Sequence, residues 1–106
     1  QSTTTEAEIE NIIPEDYALE QNYPNPFNPE TTITFKLPKA EKTKLIVYSS
    51  TGQKIATLVD NELNPGIYRI KWNGKDDFGK VVASGVYIYK LEAGKFSKSL
   101  KMNFVK

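Results

Sequence analysis

The sequence predicts an all-β fold, an antiparallel sandwich of about seven short strands. Three observations carry this: apolar residues recur with period two, Gly- and Pro-containing turn signals separate the runs at spacings of roughly 8–12 residues, and no segment shows convincing helical periodicity. At 106 residues the chain has room for one domain. A domain of that size buries only about 60–65% of the surface its unfolded chain exposes, so one modest core is the most it can build.

Residues 1–16, QSTTTEAEIENIIPED, read as an acidic flexible linker with a short helical turn around Ala7 to Ile13, and the domain boundary falls near Tyr17. The chain does not start with methionine, so a piece of a longer or processed protein is expected. Next comes NYPNPFNP, residues 22–29. Residues before proline are pushed toward extended backbone, and Pro24, Pro26 and Pro29 cannot donate to a ladder, so this arm cannot sit inside a sheet. Asparagine side chains can satisfy its backbone instead. The expectation is a stiff arm whose two aromatics, Tyr23 and Phe27, are buried and pin it to one end of the sandwich.

TTITFKL, residues 31–37, alternates fully, with Ile33, Phe35 and Leu37 on one face and Thr32, Thr34 and Lys36 on the other. In KLIVYSS, Leu45 and Val47 alternate but Ile46 and Tyr48 make the second face apolar too, so cover on both sides is expected. QKIATLVD fits no single period at Ile55 and Leu58, which signals a bulge or an edge strand. GIYRIKW sets Tyr68, Ile70 and Trp72 against Arg69 and Lys71, and SGVYIYKLEAG sets Tyr87, Tyr89 and Leu91 against Val86, Ile88 and Lys90. KFSKSLKMNFV places Phe96, Leu100, Met102 and Phe104 together, with Lys98 the exception, and Ser97, Ser99, Lys101 and Asn103 opposite. Turns are expected at STG ending in Gly52, at NPG as a type II turn centred on Pro65 and Gly66, at DFG (Asp77–Gly79) and at Ala93–Gly94. This strand spacing makes the sandwich immunoglobulin-like in architecture, without the Cys…Trp…Cys pattern of antibody domains.

Chemistry is sparse. The chain has no histidine and no cysteine, which removes the usual general base, cysteine metal sites, disulfides and every Ser-His or Cys-His arrangement. No run approaches the roughly 20 apolar residues that span a bilayer as a helix. Asn73, Asp76 and Asp77 in WNGKDDFGK look faintly like a calcium loop, but they lack the alternate-position ligands and distant glutamate of that template. The other reading is that an aspartate accepts backbone N–H bonds to hold a turn. No cofactor and no enzymatic activity are expected. Exposed rings could stack on sugars, but alternation assigns Phe35, Tyr68, Trp72, Tyr87, Tyr89 and Phe104 to the interior and leaves only Tyr17 and Tyr48 less committed. The formal charge of +1 conceals a polarised chain. Before Lys36 there are seven acids and no base, hence −7. From Lys36 onward 14 bases face six acids, hence +8. A basic body can serve nucleic acid, an anionic glycan or lipid, or plain solvation of strand faces. Arg69 is the single arginine, which argues against nucleic acid.

The order YALEQNYPNPFNPETTITFKLP, KLIVYSSTGQKIATLVD, GIYRIKWNGKDDFGKVVASGVYIYKLEAG and final KMNFVK resembles the C-terminal sorting domain of the type IX secretion system. It is also similar to the immunoglobulin-like domain of the flagellar hook-capping protein, and the resemblance covers Tyr17 to Lys106. It implies a non-catalytic address at the end of a larger, N-terminally placed cargo protein, read by the outer-membrane translocon of Bacteroidetes-type bacteria after passage through the periplasm. It further implies a sortase-like peptidase, and release or attachment of the cargo to anionic lipopolysaccharide, so that the product is secreted or held at the outer cell surface. Carried over by motif, the recognition positions are Gly85, Tyr87, Gly94, Lys101 and Lys106 in the last two strands. The rival from a different class is a carbohydrate-binding or adhesive accessory module, which should display two or three rings on one exposed plane.

Overall fold

The computed structural model describes residues 13–106. The helical turn expected around Ala7 to Ile13 and most of the 1–16 linker lie outside the described residues. Seven strands form: β1 (Ala18–Leu19), β2 (Thr31–Leu37), β3 (Glu41–Ser49), β4 (Lys54–Leu63), β5 (Gly66–Trp72), β6 (Gly85–Ala93) and β7 (Phe96–Phe104). They make two antiparallel sheets, one of order β1-β2-β5 and one of order β4-β3-β6-β7. This is an immunoglobulin-like sandwich.

The alternation read from sequence decides which face goes inward. Thr31, Ile33, Phe35 and Leu37 of β2 are buried, as are Thr43, Leu45 and Val47 of β3 and Tyr87, Tyr89, Leu91 and Ala93 of β6. Between the sheets, Trp72 meets Tyr87 edge-on with ring centroids 5.7 Å apart and tilts against Phe27 at 5.6 Å. Phe27 in turn stacks on Phe104 at 4.9 Å. Aromatic pairs in these geometries add about 0.5–1.5 kcal/mol each beyond their area burial.

Three expectations need correction. β3 is covered on one face only: Ile46 and Tyr48 are half-buried, because a two-layer sandwich has nothing to lay over its outside. Tyr48 lies across from Ile88 and Lys54, and Ile46 from Lys90, so the shielding is lateral and includes lysine stems. NPG is a crossing between sheets, since β4 and β5 belong to different ones. Gly66 sits at φ 158° and pairs with Leu37 as the first residue of β5, far from the roughly +80° of a type II turn. Tyr23 is 81% exposed. Side chains alternate along extended chain, and its neighbour Asn22 holds the inward position, donating to Thr31 Oγ1 at 2.9 Å and to the Pro24 carbonyl at 3.1 Å.

The irregular period at Ile55 and Leu58 has a direct counterpart. The β3–β4 register slips twice, between Leu45 and Ile46 and between Val47 and Tyr48, which leaves Leu58 and Ile55 as the extra residues. β4 is both bulged and an edge strand. β1 escaped the reading from sequence, because two residues show no period.

Candidate recognition surface

The five positions singled out in the last two strands do not converge. Gly85 opens β6 opposite Phe104, and Lys106 N donates to Ser84 Oγ at 2.8 Å, so Gly85 and Lys106 share one end of the hairpin. Gly94 forms the turn at the other end, with nine-residue strands between, roughly 30 Å away at about 3.3 Å per residue. Its φ of 58° is the left-handed region that a tight hairpin needs, and a Cβ there would collide with the Glu41 carboxylate. Lys101 points outward midway along β7, while Tyr87 is buried among the core rings.

Tyr87 holds a corner. Its hydroxyl donates to the Ala83 carbonyl four residues upstream at 2.6 Å, the tyrosine-corner geometry of immunoglobulin-like sandwiches at the start of the corresponding strand. Burial pushes the Tyr87 phenol pKa up. At the hairpin turn, the Tyr17 hydroxyl donates to Glu41 and its ring stacks on Phe96 at 5.0 Å. The carboxylate beside it raises the Tyr17 pKa, with desolvation adding to the effect.

β7 is a sheet edge, and the NYPNPFNP arm seals part of it. Phe27 N donates to the Asn103 carbonyl and Val105 N to the Phe27 carbonyl, each at 3.0 Å, making a parallel bridge between Phe27 and Phe104. Asn103 N donates to Asn25 Oδ1 at 2.9 Å, and Gln21 Nε2 donates to the Lys101 carbonyl at 2.7 Å. Prolines at the edge and side-chain amides on its free backbone groups are ways of blocking edge-to-edge pairing. The arm is thus a seal for the last strand, held by the buried ring of Phe27.

Tyr89 ties this arm to the core. Its hydroxyl, fully inside the sandwich, donates to the Glu20 carbonyl and accepts from Asn22 N, both at 2.8 Å. Burial is the main reason its pKa is pushed up from 10.0 to about 12. Because the folded state holds the proton more tightly, the stability from the neutral phenol is full below pH 10.0 and is lost as pH rises toward about 12. Tyr89→Phe should cost about 1–3 kcal/mol at neutral pH by stranding the buried Asn22 N–H and removing the donor to the part-buried Glu20 carbonyl. It should also flatten the fall in stability across that alkaline window. Urea unfolding at a series of pH values checks both, and parallel pH curves for the two proteins would refute the assignment.

The β5–β6 connection contains the calcium candidates. Asp76 Oδ1 accepts from Phe78 N and Lys80 N at 2.9 Å, Asp77 Oδ1 accepts from Thr57 N at 2.9 Å, and Asn73 Oδ1 accepts from Lys75 N at 3.2 Å. Each residue thus spends an oxygen on a main-chain donor: Asn73 and Asp76 clamp their own turn, and Asp77 ties the loop to β4. No group of three or more His, Asp or Glu side chains that could hold a metal gathers among the described residues. Asp77 N also donates to the Ile55 carbonyl, so the loop caps the bulged β4 edge as the arm caps β7. At its tip Phe78 is 94% exposed. The sequence reading assigns Phe78 itself no role; an aromatic outside any strand period is the available signal. The two well-exposed rings, Tyr23 and Phe78, belong to opposite edges of the sandwich, Tyr23 paired with Thr32 of β2 in line with β1 and Phe78 on the loop bonded to β4, and make no common plane.

Charge on the outer face of the larger sheet is interleaved. Lys44 lies between Asp60 and Glu92, Lys42 is opposite Glu62, and Lys90 approaches Glu92 to 3.1 Å. These lysines form a solvated strand face with acids interleaved among them.

The model of the FlgD Ig-like domain family matches residues 22–96. No curated protein matches the chain in sequence. Among solved structures, the crystal structure of dimeric latent PorU from Porphyromonas gingivalis is similar over 90% of this chain, with a TM-score of 0.68 and 18% identity. PorZ, an essential bacterial surface component of the type IX secretion system of the same organism, is similar over 84% of the chain, with a TM-score of 0.55 and 23% identity. This chain spans about a tenth of the length of either, 10% and 12%.

Proposed function

The chain belongs to the FlgD Ig-like domain family, and from that premise we propose that it is a non-catalytic sorting signal. In this reading it directs a larger cargo protein through the type IX outer-membrane translocon to the cell surface or medium. The observation that carries it is the fold shared over most of the chain with PorZ, a type IX component, and with PorU. In both of them this fold occupies about a tenth of the length, as expected of an appended module. Asp76 is spent on backbone donors of its own turn and Asp77 on Thr57 N of β4, structural uses that are compatible with this reading. Its partners are then the translocon, a sortase-like peptidase, an N-terminal cargo domain and anionic lipopolysaccharide as the attachment point. A sugar-binding module is disfavoured, because Tyr23 and Phe78 lie on opposite edges.

The test is export. A fluorescent reporter with an N-terminal signal peptide for inner-membrane export and residues 1–106 at its C-terminus should reach the medium or surface of a type IX-competent bacterium and stay in the periplasm of an isogenic translocon mutant. Equal export from both strains, or from neither, removes the reading. Deleting Leu100–Lys106 is a poor probe of the signal, because Met102 and Phe104 belong to the core.

A further inference from the structure

We propose that the acidic leader folds back as an added strand on the unsealed half of the β7 edge, residues 6–12 lying antiparallel to residues 96–101. The inference stands apart from the sorting-signal reading. Where both hold, a receptor for the last strand competes with the leader for it.

The edge has unspent backbone. The Lys101 carbonyl accepts from Gln21 Nε2, and Asn103 spends both its N–H and its carbonyl on the arm. The main-chain groups of 101 and 103 therefore point away from β6, and strand alternation turns those of Ser97 and Ser99 the same way. Among the described residues no main-chain group outside the sheet bonds to these two serines. A row of this kind is a template for an extended segment, and Phe96 and Leu100, both half-buried, give it an apolar flank.

Charge selects an acidic occupant. Lys95, Lys98 and Lys101 lie along this stretch, and no acid follows Glu92 in the chain. Two acids sit nearby: Glu92, opposite Ser97 and 3.1 Å from Lys90, and Glu41, which shares a depression with Lys39. Setting Lys90 against Glu92 and Lys39 against Glu41 leaves the three edge lysines as a positive surplus. The leader supplies the complement. Glu6, Glu8 and Glu10 come with no base and alternate with Ala7 and Ile9, the period of a strand with one acidic and one apolar face. A helical turn would instead place Glu6 and Glu10 at a repulsive four-residue spacing. Setting Glu8 across from Lys101 brings Ile9 beside Leu100 and Glu10 beside Ser99. The tether allows this: Tyr17 stacks on Phe96 at 5.0 Å and the chain bends at Glu15 and Asp16, so the leader joins at the start of β7. Seven extended residues reach about 23 Å, enough to run along 96–101. Tethering at such short range gives an effective concentration on the order of millimolar, so weak pairing suffices.

The experiment is amide hydrogen exchange followed by NMR on the 106-residue chain, at about 0.01 M salt, where the Debye length is roughly 30 Å. The Ser97 and Ser99 amides should exchange at least about tenfold more slowly than in the triple variant Glu6→Gln/Glu8→Gln/Glu10→Gln, while the Leu91 amide in β6 keeps its rate. Equal rates at both serines in the two proteins overturn the docking and leave the lysines as guards of a bare edge. A charge swap tests the pairing from the other side. Lys98→Glu with Lys101→Glu should speed exchange at the serines, and adding Glu8→Lys and Glu10→Lys should slow it again. If the swap restores nothing while Leu91 stays protected, the electrostatic match is refuted. Protection that grows with protein concentration would put the leader of a second copy on the edge and overturn the intramolecular fold-back. Export plays no part in these readings, so the sorting proposal stands or falls separately.

Discussion

Trp72→Ala is expected to destabilise the domain by about 3–5 kcal/mol, the cost of deleting a large buried ring. For a chain of this size that lowers the melting temperature by on the order of 15–30 °C. The indole touches Phe27, Tyr87 and Phe104, so its removal leaves a cavity where both sheets and the arm meet. Trp72→Phe separates two contributions. It keeps most of the ring packing and loses the Nε1 bond to Lys75, so a loss of about 1–2 kcal/mol is expected from that donor alone. Calorimetry on both variants decides the matter. A shift of only a few degrees for Trp72→Ala would place the ring at the surface and reopen the sugar-binding alternative.

Phe27→Ala should also cost about 3–5 kcal/mol, but with a second consequence that Trp72→Ala lacks. Phe27 is 2% exposed and anchors the backbone that bonds to Asn103 and Val105. Without it the arm loses its hold and the end of β7 becomes an open edge, the surface through which strands of different molecules pair. Concentration-dependent association, followed by light scattering below the melting transition, should accompany the loss of stability. Asn25→Ala removes only the side-chain cap on Asn103 N and should produce a weaker form of the same behaviour with little change in melting temperature. If Phe27→Ala melts early yet stays monomeric at high concentration, the sealing role is refuted.

How much of this was legible in the sequence varied with the range of the interaction. The six longer strands were, because a half-buried strand writes its burial into every second residue; β2 and β5 follow that pattern throughout and β6 follows it from Val86 onward. Ile55 and Leu58 announced the β4 bulges for the same reason, as breaks in a period. β1 was hidden, since Ala18 and Leu19 are held by pairing to Lys36 and Phe35, partners that no local pattern names. The exchange of roles between Asn22 and Tyr23 was also hidden: Asn22 is inside because Tyr89, 67 residues later, supplies its partner. At the candidate surface, Gly94 was legible as a turn. The scatter of Gly85, Tyr87, Gly94, Lys101 and Lys106 over two ends and two faces of the hairpin was not, because spacing along a strand says nothing of which edge is covered.

The arm that seals β7 has a kinetic corollary. Asn25 and Asn103 meet across 78 positions, and Glu20 and Tyr89 across 69. Such contacts give a high contact order and place the domain among the slower folders, in milliseconds to seconds. The clasp cannot shut until residues 101–105 have been synthesised, so closure follows translation of the last strand. Until then the terminal segment of a nascent polypeptide is available to chaperones and to any receptor that binds unpaired chain.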